Sequence, residues 1–197
     1  MDKQYHIPSS VASKLEQIKL YMGTHSVTAF VGAGFSMNAE IPSNVSMKTW
    51  AQLREVFLDK LYPNNEEDKK NDANDVVRLS SLIDAQFGHN ELDNILEEAL
   101  PDQLIQPGRL HRLLVQLPWK DILTTNYDTL IERAAGQVIN GFKLVTNKET
   151  LLYQPSPRII KLHGSFPNIR PYIMTQEDYR RYPTERPEMV NTAKQCF

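Results

Sequence analysis

Apolar positions along the chain follow two rhythms. Three short runs are apolar almost without interruption: Val27-Thr28-Ala29-Phe30-Val31, Ile122-Leu123 within 121–125, and Ile159-Ile160 with Leu162 within 158–162. Such runs read as strands buried on both faces, the kind found in parallel sheets. A fourth strand is expected over 142–145, and Ile173 and Met174 open a further candidate. The second rhythm is helical. Val11, Leu15, Ile18 and Met22 mark the buried stripe of a packing helix that Ser9 or Ser10 caps and Gly23 ends. Trp50, Leu53, Val56, Phe57 and Leu61 mark another, over 49–61, stopped by Pro63. Val76, Leu79, Ile83 and Phe87 mark a third over 75–87, and Gly88 separates it from a fourth over 91–100. Further helices are expected over 109–116, over 129–135 ended by Gly136, and from Thr175 to about residue 179. Pro42 shortens or distorts any helix directly after the first strand.

The stretch 64–75 holds no bulky apolar residue and reads as a solvated loop. Strands alternating with helices predict an α/β fold: a Rossmann-like, mostly parallel sheet with helices on both faces. The helices crowded between the first two strands predict a helical insertion over about 64–117 within one domain spanning 1–197.

Composition narrows the function. The chain has 197 residues, 41% apolar and 23% charged, an ordinary balance for a globular protein. A net charge of −2 gives no reason to expect direct binding of nucleic acid. No apolar run is long enough to cross a bilayer, and 1–6 lacks the apolar core of a signal peptide, so the cytoplasm is the expected compartment. The single cysteine, Cys196, excludes an internal disulfide and a cysteine-based zinc site. The five histidines, His6, His25, His89, His111 and His163, are not spaced as helical metal ligands, so no metal is expected.

Each strong strand ends in glycine or polar residues: Gly32-Ala33-Gly34-Phe35-Ser36, Thr124-Thr125-Asn126-Tyr127-Asp128, and His163-Gly164-Ser165. Ligands of open α/β sheets bind at the carboxyl ends of strands, so three distant segments are expected around one crevice. Glycines let a ligand approach the backbone, and a following helix would present free N–H groups to a phosphate. Gly32 and Gly34 supply the first two glycines of a dinucleotide fingerprint, but Met37 stands where the third belongs. Each segment also has a plain structural reading. Gly32-Ala33-Gly34 suits a tight turn, Asn126 with Asp128 suits a helix cap, and His163-Gly164-Ser165 suits a turn.

Taken in order, Gly-Ala-Gly-x-Ser with Ile41-Pro42-Ser43, then Thr-x-Asn-Tyr-Asp, then Lys-Leu-His-Gly-Ser, the motifs resemble the sirtuin family. Within it they are most similar to prokaryotic sirtuin-like NAD hydrolases of anti-phage defence. The resemblance implies that Gly32, Ala33, Gly34 and Ser36 cradle the NAD pyrophosphate. It implies that Thr125, Asn126 and Asp128 border the nicotinamide ribose and carboxamide, with Gly164 and Ser165 completing the binding set. It assigns Asn126 and His163 as the catalytic pair. The chemistry suits those types: an amide can hold a ribose hydroxyl or water, and a histidine can take a proton near neutrality.

Departures from the deacylases of the family shape the expected activity. The four-cysteine zinc module is absent from this sequence. Glu40 stands where the family often has glycine, Ser43-Asn44-Val45 replaces Asp-Phe-Arg, and Thr125 replaces glutamine. Without a zinc lobe to complete a peptide groove, water is the favoured acceptor, which implies cleavage of NAD to nicotinamide and ADP-ribose. The alternatives are an NAD-dependent deacylase and a non-catalytic nucleotide-binding sensor or assembly subunit. The family implies a homo-oligomer, activation by a partner such as an ATPase, and a closing segment beyond Phe197 for the adenosine half.

Overall fold

The computed structural model describes residues 7–138 and 141–196. The amino-terminal stretch 1–6 with His6, and Phe197, lie outside the described residues. The elements run in the order α1 (Ser9–Gly23), β1 (Thr28–Val31), a 3-10 turn (Ala33–Asn38), α2 (Trp50–Leu61), α3 (Glu66–Asn71), α4 (Val76–Phe87) and α5 (His89–Ala99). A second 3-10 turn (Asp102–Leu104), α6 (Arg109–Gln116), β2 (Asp121–Thr124), α7 (Leu130–Ala135) and β3 (Lys143–Val145) follow. The chain then forms α8 (Lys148–Tyr153), β4 (Arg158–Lys161), α9 (Gln176–Glu185) and α10 (Pro187–Lys194).

The four strands form one parallel sheet in the order β1-β2-β4-β3. Register decides what meets at its carboxyl edge. Val31 lies opposite Thr124, and Thr124 opposite Lys161. The three strong strands therefore end at one level, and the residues after them emerge side by side.

Strand residues alternate between two apolar layers, as a doubly covered sheet requires. Ile122 and Ile159 pack with Val31 against Val115 of α6 and Ile131, Ala134 and Ala135 of α7. Leu123, Ile160 and Val145 face the other side, against Leu162 and Met189 of α10. A third cluster builds the helical wall beyond the sheet: Leu53, Phe57 and Leu58 of α2, Val76, Leu79 and Ile83 of α4, and Leu92, Ile95 and Leu96 of α5. Tyr127, Phe166, Tyr172 and Met174, from loops after β2 and β4, join it and tie the wall to the strand tips.

Several helix starts follow their sequence signals. Thr49 and Thr175 form capping boxes for α2 and α9, and Asp75 caps α4 through the N–H of Arg78. Other expectations need correction. Asn65 caps a short helix, α3, inside the stretch read as loop, because three acidic residues suit its first turn. Neither Ser9 nor Ser10 caps α1; Pro8 holds that position and no side chain bonds there. The stripe Val11, Leu15 and Ile18 stays exposed, and α1 contributes no buried residue. Trp50 and Phe87 are also exposed, at the first residue of α2 and the last of α4, where the helices pass the edge of the core. Ile173 and Met174 are buried without forming a strand. Helix α9 extends to Glu185 through Pro183, well past the short helix expected, and α10 follows it. Among the described residues, no helix is long and apolar enough to cross a membrane.

Candidate active site

The three strand tips open on one cavity of about 500 Å³. Ala33, Gly34 and Ser36 come from the turn after β1, Thr125, Asn126 and Asp128 from the loop after β2, and His163 from the segment after β4. The opposite wall comes from Met47, Lys48, Trp50 and Leu53 at the start of α2, from Leu100 after α5, and from Tyr179 of α9. It is a largely apolar chamber with polar groups at the sheet edge and Lys48 and Thr49 on the facing wall, the usual character of a small-molecule site.

Those polar groups are ordered by hydrogen bonds. Ser36, Asn126 and Asp128 are all about 95% buried. The Ser36 hydroxyl donates to Asp128 Oδ2 over 2.6 Å. Asn126 Nδ2 donates to Ser36 Oγ over 2.9 Å and to the Gly32 carbonyl over 3.2 Å. Asn126 Oδ1 is buried without a partner. The Asn126 backbone N–H donates to Thr124 Oγ1, and Asp128 Oδ1 accepts from the Leu130 N–H at the start of α7. Asp128 thus serves both the helix start and the hydroxyl of Ser36.

Behind this loop sits a fully buried lysine. Lys161, the last residue of β4, donates to the Asp128 carbonyl and pairs with Glu132 of α7 at 2.8 Å. Burial raises the Glu132 carboxyl above the usual carboxylate range, and Lys161 pulls it back down in part. The bond from Lys161 to the Asp128 carbonyl links the tip of β4 to the loop after β2, and so the segment carrying His163 to the one carrying Asn126.

His163 meets Tyr179 and Tyr182 of α9 edge-on, with ring centres 5.5 and 5.9 Å apart. Tyr182 donates its hydroxyl to the Leu162 carbonyl over 2.6 Å, fixing α9 against the β4 tip. Burial pushes the His163 imidazole down to about 4, so it is unprotonated at neutral pH. His111 of α6, fully buried, lies under the glycine turn. Its Nδ1 accepts from the Gly108 N–H over 3.2 Å, and its ring meets Phe35 edge-on at 4.9 Å. Gly108 is a close-approach position: a Cβ there would lie 1.9 Å from the Asn38 carbonyl oxygen at the end of the turn.

Residues 120–197 match the family model of the SIR2-like domain. The chain is also 22% identical over 196 residues to defense-associated sirtuin 2 of Bacillus subtilis, covering 95% of this chain and 18% of that protein. It is 28% identical over 164 residues to the NAD(+) hydrolase ThsA of Enterococcus faecium, covering 78% of this chain and 30% of that protein. With ThsA of Acinetobacter baumannii it shares 28% identity over 178 residues, 86% of this chain and 33% of that protein. The chain spans between about a fifth and a third of the length of these curated relatives.

Around the cavity, the residues assigned by motif separate into two groups. Ala33, Gly34, Ser36, Thr125, Asn126, Asp128 and His163 share the cavity. Gly32, Gly164 and Ser165 do not line it. Gly32 contributes its carbonyl to Asn126. Gly164 has φ +92° and lies against the carbonyls of Pro171 and Ile169, and Ser165 is buried with its hydroxyl on the Tyr127 carbonyl. The sequence assigns no role in the site to Lys161, Trp50, Met47 or Tyr179. Lys161 stands in the Lys-Leu-His-Gly-Ser motif, as a charge following two isoleucines in a strand; Trp50 and Tyr179 read as ordinary helix residues, and Met47 precedes the helix expected over 49–61. No group of residues suited to holding a metal occurs among the described residues.

Proposed function

We propose that this SIR2-like domain hydrolyses NAD to nicotinamide and ADP-ribose, as an effector of anti-phage defence. The observation that carries the reading is the Asn126 side chain, whose oxygen is buried and unpartnered while its amide hydrogens are both engaged. A buried polar atom without a partner is costly, and a ligand hydroxyl or water is its natural complement. The shared cavity with the glycine turn and an unprotonated His163 supports the reading further. So do the printed names of the relatives, two NAD(+) hydrolases and a defence-associated sirtuin.

The reaction balances simply. The bond between ribose C1′ and the nicotinamide ring nitrogen breaks, and its electron pair leaves with nicotinamide as a neutral ring. Positive charge gathers at C1′ in the transition state. Water adds to C1′ and loses one proton, which the His163 imidazole accepts. Asn126 Oδ1 accepts a hydrogen bond from the ribose hydroxyl or from the water. The glycine turn admits the pyrophosphate close to the backbone. Lys48 adds a cation to the cavity wall. Assembly of several copies, or a partner ATPase, switches the effector on.

The test is product analysis with the full polypeptide, alone and with its candidate activator. Nicotinamide and ADP-ribose in equal amounts are expected. Acetyl-ADP-ribose formed from an acetyl-lysine peptide would make the domain a deacylase. Thermal stabilisation by NAD without product would make it a sensor.

A further inference from the structure

We propose that Ser36 and Asp128 form a relay that fixes the amide of Asn126 with its oxygen as the free corner, so Ser36 positions Asn126 rather than binding phosphate. The inference rests on the hydrolase reading above for its kinetic consequences, but its geometry stands apart from that reading. Counting protons decides the direction of every bond. The Gly32 carbonyl can only accept, so the corner of the Asn126 side chain facing it at 3.2 Å is the NH₂ group. The second amide hydrogen goes to Ser36 Oγ at 2.9 Å. A hydroxyl carries one proton, and the 2.6 Å bond to Asp128 Oδ2 uses it. Ser36 therefore has no donor left for an anion.

All three side chains are shielded from solvent, where a hydroxyl-to-carboxylate bond is short and strong. Asp128 is itself held from two sides. Its Oδ1 takes the Leu130 N–H, and its carbonyl takes the ammonium of Lys161. The sequence element usually read as a phosphate cradle thus contributes backbone from Ala33 and Gly34, while its hydroxyl serves the neighbouring strand tip. An amide locked in this way offers substrate an acceptor only, which fits a ribose hydroxyl or water and excludes a bond donated to phosphate.

Two variants and two readouts test the relay in the full-length protein. Asp128→Asn keeps the shape and removes the charge that orients the hydroxyl; Ser36→Ala removes the relay atom. Each is expected to lower kcat for nicotinamide release about tenfold or more, with KM for NAD within threefold of wild type. If Ser36→Ala instead raises KM at least tenfold with kcat unchanged, Ser36 contacts the dinucleotide and the relay is wrong. The second readout needs no turnover: hydrogen exchange of the Asn126 side-chain amide protons by NMR. Those protons are expected to be protected in the wild type and to exchange at least tenfold faster in Ser36→Ala. Equal exchange rates overturn the relay. A wild-type protein that never releases nicotinamide defeats the hydrolase reading instead, while the exchange measurement still decides the relay.

Discussion

Two glycines from the same set of motifs separate scaffold from binding surface when each is replaced by alanine. At Gly164 the backbone sits at φ +92°, which costs an alanine about 1–2 kcal/mol. The added methyl would also lie 2.6 Å from the Pro171 carbonyl oxygen and 2.7 Å from that of Ile169. Both neighbours are backbone and cannot swing aside, so overpacking adds about 1–3 kcal/mol. Gly164→Ala should therefore lose about 3 kcal/mol of stability. For a domain of this size that lowers Tm by roughly 6–12 °C. At Gly34 a Cβ would meet nothing within 4 Å, so Gly34→Ala should fold with a stability within about 1 kcal/mol of wild type. The methyl would stand on the cavity wall, where the pyrophosphate is proposed to approach. The assay is urea denaturation of both variants, followed by thermal shifts with and without NAD. Gly34→Ala should lose most of the NAD-induced shift, and Gly164→Ala should keep it at temperatures where it is folded. Equal stability of the two variants, or an undiminished NAD shift in Gly34→Ala, would refute the division of roles.

Other outcomes follow from buried charges. Burial lowers the His163 pKa to about 4 from an ordinary 6.5. Above pH 6.5 the ring is neutral in both folded and unfolded chains and contributes no slope. As pH falls from 6.5 toward 4 the unfolded chain takes up the proton and the folded one resists. Stability should fall over that window by about 3 kcal/mol, and His111, lowered in the same direction by burial, adds to the slope. Urea midpoints at pH 7.5, 5.5 and 4.5 should show the decline, and His163→Asn should make it shallower, leaving the part due to His111; a flat wild-type profile would contradict the burial of that ring. Lys161→Met leaves Glu132 without its ion-pair partner in a dry setting and should cost about 3–5 kcal/mol, while Lys161→Met with Glu132→Leu should recover most of the loss. A double variant no more stable than the single one would show that the pair does not act as a unit.

The sheet was legible because its strands are buried on both faces and so read as apolar runs. Ile122-Leu123 and Ile159-Ile160 each place one residue in either layer. Convergence of the strand tips followed from a general property of parallel sheets, and the register of Val31, Thr124 and Lys161 supplies the physical reason. The far wall of the cavity was not legible. Met47, Trp50 and Tyr179 reach it only through tertiary packing of α2 and α9 against the strand tips. Helix α1 shows the converse failure: its apolar stripe at Val11, Leu15 and Ile18 has helical spacing, yet periodicity reports what a face can bury rather than what covers it. The motif His163-Gly164-Ser165 mixed two jobs that sequence alone could not separate. His163 faces the cavity, whereas Gly164 and Ser165 shape the turn that follows it.

The most direct measurement compares nicotinamide release and NAD binding for wild type and Asn126→Ala in the intact, activated protein. Asn126→Ala is expected to fold and bind NAD with a thermal shift close to that of wild type, while nicotinamide release falls at least about 100-fold. Release at the wild-type rate from Asn126→Ala would contradict the assignment of this cavity as the place where the glycosidic bond is broken.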